Sequence, residues 1–477
     1  MAARGSKKAK KYEHLLLKEE SGWLKIDKNE KILIKNFAKE YIEFLNNVKT
    51  EREAVEFIKE AAEKNGFISF KNLLKSKKVY AGQKIYAVNR NKSIILAIIG
   101  KEPLESGLNI ICAHIDSPRL DLKQNPLYED TELAYLKTHY YGGIKKYHWL
   151  NIPLAIHGKI VRLDGKVIDI KIGEKEDEPV FIIPDLLPHL SKKLKEKKIS
   201  EAIPAENLNL LIGNIPISEK DQKDPVKIAI LELLNKKYGI MESDFNSAEI
   251  EIVPAFKARE AGLDKSFIVG YGQDDRISSY ATFKAIIETQ NPQRTSIALL
   301  IDKEEIGSEG NSSIQSKFFE IFVSDLIEKI SGKYYEKNLK ISLAKSYGIS
   351  ADVDAAYDPN YKDVYDIRNT AKLGHGVIFT KYTGYGGKYD ANDANAEYVG
   401  KLRKLFTENN VIFQFGELGK VDEGGGGTIA KYLANYGMEV IDCGPPVLGM
   451  HSPYELTSKF DLYQTFKGYK VFFQKIV

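Results

Sequence analysis

Cysteine is almost missing from this chain: among 477 residues only Cys112 and Cys443 occur. Both lie in apolar, strand-like runs, which argues against a disulfide framework and for buried free thiols in a reducing compartment. Long apolar runs are missing too. No stretch approaches the ~20 residues of a membrane span, and the N-terminus lacks the apolar core of a secretory signal, so a cytoplasmic location is expected. Nor is there an excess of one charge. The 70 basic and 66 acidic residues leave a net charge of +4, which gives no footprint for nucleic acid or an anionic membrane. What remains is an ordinary globular composition, 43% hydrophobic, with length for a large core and about two or three domains.

The most informative stretch is Asp302-Lys303-Glu304-Glu305-Ile306-Gly307, where adjacent carboxylates follow the apolar run 296–301. Such a run reads as a buried strand, and ligands in open α/β sheets gather at the carboxyl ends of strands. Neighbouring residues leaving a strand point in different directions, so Glu305 could hold a divalent cation while Glu304 faces the water bound to it. A second apolar run ends in His114-Ile115-Asp116. Residues two apart share a strand face, so Asp116 can accept from one ring nitrogen of His114 while the other nitrogen meets a metal.

Further clusters complete the pattern. Asp274-Asp275-Arg276 stands at the head of a helix-like stretch, 277–290, and offers a bridging carboxylate. Ser350-Ala351-Asp352 follows a strand-like region at 340–344, and His451 ends the Pro/Gly-rich loop that starts at Cys443; both read as ligand loops on a rigid scaffold. Nitrogen and carboxylate donors without thiolate suit zinc, cobalt or manganese. Five such side chains exceed what one catalytic zinc takes, so a pair of metals bridged by a carboxylate fits better.

These segments, with Ala113-His114-Ile115-Asp116-Ser117-Pro118, Tyr141-Gly142-Gly143 and Gly449-Met450-His451-Ser452, resemble the M18 family of metallopeptidases in order and spacing over nearly the whole chain. The resemblance implies His114, Asp274, Glu305, Asp352 and His451 as ligands of two zinc ions, with Asp274 bridging them and cobalt or manganese as alternatives. It implies Glu304 as general base, with Asp116 beside it in the catalytic set. An aminopeptidase follows: a metal-bridged hydroxide attacks the first peptide carbonyl of a substrate with a free N-terminus, and Glu304 carries the proton to the leaving amine. Pro188-His189-Leu190 resembles a segment whose histidine reaches the neighbouring subunit's substrate. Lys381 and Tyr389 resemble residues of the family's specificity pocket. A lysine there would favour an acidic first residue, while members that prefer neutral residues such as leucine keep that choice open. The chain departs from the animal members after Asp352, where it reads Val353-Asp354-Ala355-Ala356 and lacks their histidine.

The gap between ligand clusters points to an insertion, since 274 − 114 = 160 residues separate the first two. Within it, residues 159–172 alternate around Asp164-Gly165, a strong hairpin signal, and 249–253 reads as another strand. Outside it, strand and helix alternate at 281–289, 297–301, 317–330 and 428–436. The expected fold class is therefore α/β: a mainly parallel sheet sandwiched by helices, zinc-exopeptidase-like by the resemblance, with an inserted β-rich domain. The catalytic domain would span 1–118 and 256–477 and the insert 119–255. In the family the insert mediates dimerisation, and dimers build a tetrahedral dodecamer. An amphipathic helix is expected at 27–46, a disordered basic tail at 1–11 and a solvated lysine-rich loop at 191–198. Gly424-Gly425-Gly426-Gly427 lacks the ending of a phosphate loop and reads as tight packing near the metals. Rival readings are a related di-metal amidohydrolase, such as an N-acyl deacetylase or carboxypeptidase, and a self-assembling shell protein that has lost catalysis. The shell reading sits badly with an intact ligand set and Glu304.

Overall fold

The short apolar runs form strands that lie side by side at the centre of the molecule. In the computed structural model, which describes residues 12–17, 20–76, 78–219 and 222–477, strand Asn109–His114 pairs parallel with Ser296–Ile301 on one side and Tyr347–Ala351 on the other. Tyr347–Ala351 pairs parallel with Glu439–Gly444. Antiparallel neighbours, Ser93–Ile98 beside Ser296–Ile301 and Val377–Thr380 beside Glu439–Gly444, extend this centre into a nine-stranded sheet. Parallel pairs predominate, so the sheet is mixed but mainly parallel, as expected. The basic segment 1–11 lies outside the described residues.

Alternation along the strands builds two cores. Ile111, Ala113 and Leu300 face the helices Gln273–Glu288 and Lys459–Lys475, where Ile277, Tyr280, Phe283, Tyr469 and Phe472 cover them. Ile110, Cys112 and Leu299 face the opposite way, onto Phe319, Phe322 and Leu326 of helix Phe318–Ser331. Burial of each such side chain stabilises by about 1.5–3 kcal/mol, so this double cover fixes the register of the central strands. Cys112 and Cys443 are buried free thiols.

Some elements differ from the reading of the sequence. Region 340–344 belongs to helix Glu336–Ala344, not to a strand, because Leu339, Ser342 and Leu343 bury one face at helical spacing; the strand before Asp352 is Tyr347–Ala351. In 428–436 only Ala430–Ala434 is helical. The N-terminal helix is Lys28–Asn47, capped by the Asp27 carboxylate, which accepts from the Glu30 N–H at 2.8 Å. It buries Ile34, Phe37, Tyr41 and Leu45 but leaves Ile32 exposed.

Residues from 119 to 254 contribute a six-stranded sheet in which every pair is antiparallel, ordered Val167–Ile172, Leu154–Val161, Ala248–Pro254, Arg119–Asp130, Leu133–Tyr141 and Leu210–Gly213. Leu120, Trp149, Leu154, Ile252 and their neighbours form a core of its own. The Asp-Gly hairpin forms where foreseen, with Gly165 at φ +82° and Val161 opposite Val167. The lysine-rich segment forms an exposed turn, Lys192–Glu196. A small third sheet joins Phe267–Gly270, Glu455–Ser458, Pro446–Leu448 and Asp354–Ala355 beside the ends of the central strands. Among the described residues no helix is long and apolar enough to cross a membrane.

Candidate metal centre

Three of the central parallel strands deliver polar residues at or just past their carboxyl ends. His114 closes Asn109–His114, Asp352 follows Tyr347–Ala351, and Glu304 and Glu305 sit on a single turn, Glu304–Ile306, just past Ser296–Ile301. That turn is bounded by Lys303 at φ +71° and Gly307 at φ +92°, and the reversal brings both carboxylates toward His114. Asp274 comes from the head of Gln273–Glu288, where its own backbone is not helical. His451 stands in the loop after Pro446–Leu448 at φ +63°, a region rarely adopted by side chains with a Cβ.

Asp274 joins the two histidines. Its Oδ1 lies 3.1 Å from His114 Nε2 and its Oδ2 lies 3.1 Å from His451 Nε2. Around the first contact stand Asp352, 3.7 Å from His114 Nε2, and Glu304 at 3.9 Å. Glu305 lies 3.4 Å from His451 Nε2. Three donor groups result: His114–Asp274–Asp352 and Asp274–Glu305–His451, with Asp274 common to both, and His114–Glu304–Glu305.

The remaining ring nitrogens are held by acceptors. His114 Nδ1 donates to the Asp116 carbonyl at 3.0 Å and lies 3.3 Å from its carboxylate, while His451 Nδ1 donates to the Gly143 carbonyl at 2.8 Å. A carbonyl only accepts, so both rings carry their proton on Nδ1 and present Nε2 to the centre. Asp116 does more than orient His114. Its Oδ1 accepts the Glu304 N–H and its Oδ2 the Glu305 N–H, each at 3.2 Å, and the Tyr141 hydroxyl donates to Oδ2 at 2.8 Å. One carboxylate thus sets the turn that carries the glutamates.

The electrostatics fit a site that binds cations. Burial, reinforced by Asp352, Asp116 and Asp274, pushes Glu304 up to about 8. Burial and the charge of Asp274 also push Glu305 well above the usual carboxylate range, and its Oε1 is buried without a hydrogen-bond partner. Burial works against protonation of His451, yet the Asp274 hydrogen bond and the Glu305 charge raise it to about 11. Crowded carboxylates that take up protons to relieve their repulsion are a donor set short of positive charge. Nitrogen and oxygen donors of this kind, with no thiolate among them, suit zinc.

A cavity of about 450 Å³ opens onto this cluster, lined by Asp274, Glu304, Glu305, Asp352 and His451 among others. Thr383, Tyr385 and Leu418 line it as well, together with Gly425, Gly426 and Gly427; the glycine run lies beside the centre, but as open cavity wall at Gly426 and Gly427, where a Cβ would meet nothing closer than 3.7 Å, not as the tight packing expected. Lys381 and Tyr389 are exposed and are not among its lining residues; Lys431 is. His189 is exposed on the turn Pro188–Leu190.

Glu455 escaped the reading of the sequence. Its Oε1 accepts the His451 N–H at 3.0 Å, and its Oε2 accepts the N–H groups of Gln273 at 2.5 Å and Asp274 at 3.4 Å. A fully buried glutamate therefore ties the two segments that meet across the centre. Its only signal was a carboxylate four residues after His451, a spacing that a surface loop shares.

The family model described as "Aminopeptidase I zinc metalloprotease (M18)" matches residues 44–473. A relative from Clostridium acetobutylicum, "Probable M18 family aminopeptidase 1", is 51% identical over 459 residues, which cover 96% of this chain and 98% of that one. The crystal structure of an M18-family aminopeptidase from Thermotoga maritima matches with a TM-score of 0.93 at 48% identity, covering 97% of this chain and 100% of the other. The S. cerevisiae mApe1 dodecamer shares the fold, with a TM-score of 0.75 at 22% identity over 93% of this chain and 97% of its own.

Proposed function

The chain belongs to the M18 family and is a zinc metallo-aminopeptidase, and from that membership and the geometry around Asp274 we propose that it removes the first residue of peptides with a free N-terminus at a pair of metal ions. The observation that carries the reading is the division of Asp274, whose two oxygens face two different histidines at 3.1 Å each. His114 and Asp352 would hold one ion, His451 and Glu305 the other, and Asp274 both, with zinc ahead of cobalt or manganese. When bound, such ions polarise a scissile carbonyl and acidify water.

The chain's own residues supply the rest. Glu304 accepts the proton of the attacking water and returns it to the leaving amine, a role that fits a carboxylate lining the cavity 3.9 Å from His114 Nε2 with its backbone held by Asp116. Asp116 holds His114 and the backbone of both glutamates, so it positions base and ligand together. The carboxylates of the centre itself, Glu304 and Glu305 among them, would favour an α-ammonium beside the ions, which restricts cleavage to the first residue. The sequence left the first residue open between acidic, on the strength of Lys381, and neutral; Lys381 is exposed and not among the residues that line the cavity, whereas Lys431 is.

Residues 119–255 are proposed as a dimerisation domain inserted into a catalytic domain of 1–118 and 256–477, within a tetrahedral dodecamer. The shared fold with the mApe1 dodecamer supports this, as do Leu186, Leu187 and Leu190, which the insert leaves exposed beside His189. In such an assembly His189 would reach a neighbour's substrate.

The test is hydrolysis of aminoacyl reporters with free and acetylated amines, before and after chelation and zinc return, alongside metal analysis. Cleavage of free-amine reporters alone, with about two metals per chain, is the expected result. Release of acetate from acetylated reporters would hand the site to the deacetylase reading, efficient release of the reporter from them would exclude the requirement for a free N-terminus, and protein without stoichiometric metal would favour the shell reading.

A further inference from the structure

The cavity that holds the proposed ligands also carries two carboxylates that the mechanism does not use, Asp354 and Asp442. They stand on neighbouring elements. Thr380 lies opposite Asp442 in the sheet register, and its hydroxyl donates to Asp354 Oδ2 at 2.6 Å. Asp354 Oδ1 accepts its neighbour's N–H, from Ala355, at 2.7 Å. The Thr428 hydroxyl donates to Asp442 Oδ1 at 2.7 Å. Asp442 is only 4% exposed, and its Oδ2 is buried without a hydrogen-bond partner. The hydroxyls on this wall fix the orientation of both carboxylates but bring no positive charge.

A cation is what such a wall needs. Burying carboxylates without a counter-charge is costly, and a ligand that supplies the charge recovers that cost on binding. Among the described residues that line the cavity, Lys431 is the one lysine or arginine, and its ammonium lies 3.6 Å from Asp390, outside the lining. Tyr385 and Leu418 line the same space and offer contact to an aliphatic stem. A carboxylate side chain entering here would instead meet two more of its own sign.

We propose that Asp354, with Asp442 beside it, selects substrates whose first residue is lysine or arginine, the side-chain ammonium or guanidinium docking between the two carboxylates. The inference rests on the aminopeptidase reading and adds the substrate class. Asp354 is then the specificity-determining residue, two positions after the proposed ligand Asp352.

The experiment compares kcat/KM for Lys, Arg, Leu, Ala, Asp and Glu reporters on the zinc-loaded full-length protein and on its Asp354→Asn and Asp442→Asn variants, with metal content measured for each. Lys and Arg should lead Asp and Glu by at least about tenfold in the unaltered protein. Asp354→Asn should lower Lys and Arg about ten- to hundredfold relative to Leu and Ala, the range expected for a lost charged hydrogen bond, and metal content should stay constant. A preference for Asp or Glu in the unaltered protein would overturn the proposal, whether or not the variants fold. So would an equal fall on every reporter in both variants, which would assign these carboxylates to the α-amine or to metal retention. Silence on all reporters from metal-loaded protein would fell the aminopeptidase reading first, and this inference with it.

Discussion

Replacing Glu455 by glutamine isolates the support of the metal centre from its ligands. The glutamate accepts three backbone N–H groups, from His451 at 3.0 Å and from Gln273 and Asp274 at 2.5 and 3.4 Å. An amide keeps one acceptor and turns the other into a donor, so on one side two donors must face each other. The loss of a charge-assisted hydrogen bond costs about 1.5–3 kcal/mol. His451 has little else to hold it, because its φ of +63° is unfavourable and its other anchor is the single bond to the Gly143 carbonyl. At about 1.4 kcal/mol per factor of ten, the penalty corresponds to roughly ten- to hundredfold weaker binding of the ion on the His451 side, the size seen for partners one step behind metal ligands. Chelator competition resolves the two ions, and thermal unfolding checks that the chain is intact. Both affinities within about threefold of the unaltered protein, at unchanged unfolding temperature, would refute the reasoning.

The other predictions separate roles within and beyond the centre. Glu304→Gln should keep both ions by metal analysis yet lower kcat about 10²- to 10⁴-fold, and loss of an ion would recast Glu304 as a ligand. Asp274→Ala should release both ions, whereas His451→Ala should release one, as read by stoichiometry after dialysis. His157 is buried between Glu53 and Glu174, 3.0 Å from each. Burial opposes every charge here, yet hydrogen bonds from His157, joined by Lys171 on Glu53 and Lys49 on Glu174, lower the two glutamates to about 2, and the glutamates raise His157 above 6.5. The carboxylates therefore stabilise above their unfolded value of 4.5 and lose that contribution as pH falls toward 2. The histidine stabilises fully below 6.5 and loses its contribution as pH rises through the raised value. His157→Ala should cost about 3 kcal/mol between roughly pH 4.5 and 6.5 and progressively less above, measured by denaturant unfolding; a deficit independent of pH would exclude the charged triad.

The centre was legible because its geometry is local at each point. A strand end places His114, another places Glu304 and Glu305, and the residue after a short apolar run can be read from that run alone. The continuous burial of 109–114 and 296–301 and the Asp-Gly hairpin were legible for the same reason. The misreading of 340–344 arose where a short apolar run fits both periods and only the packing of Leu339 and Leu343 decides. Glu455 was hidden because its partners, Gln273 and Asp274, lie 182 and 181 residues away. Lys381 was carried by likeness of sequence rather than by a physical rule, and the cavity takes Lys431 from a different element.

The insert takes part in the metal centre itself. Gly143, just beyond the strand Leu133–Tyr141 of the six-stranded sheet, holds His451 through its carbonyl, and Tyr141 on that strand holds Asp116 through its hydroxyl. Asp116 in turn orients His114 and carries the backbone of Glu304 and Glu305. Both donor groups that contain Asp274 are therefore completed from the same edge of the insert, one through His451 and the other through Asp116. A second set of contacts ties that sheet to the rest of the chain: Arg119 to Glu51 at 3.6 Å, and His157 to Glu53 at 3.0 Å. Whatever holds that sheet in place also sets the positions of the two histidines, so its displacement would weaken the binding of an ion at either one. Hydrogen bonds thus link the six-stranded sheet to His451 and to the glutamate turn, so a substitution at Tyr141 should act on activity through the positions of Asp116 and Glu304.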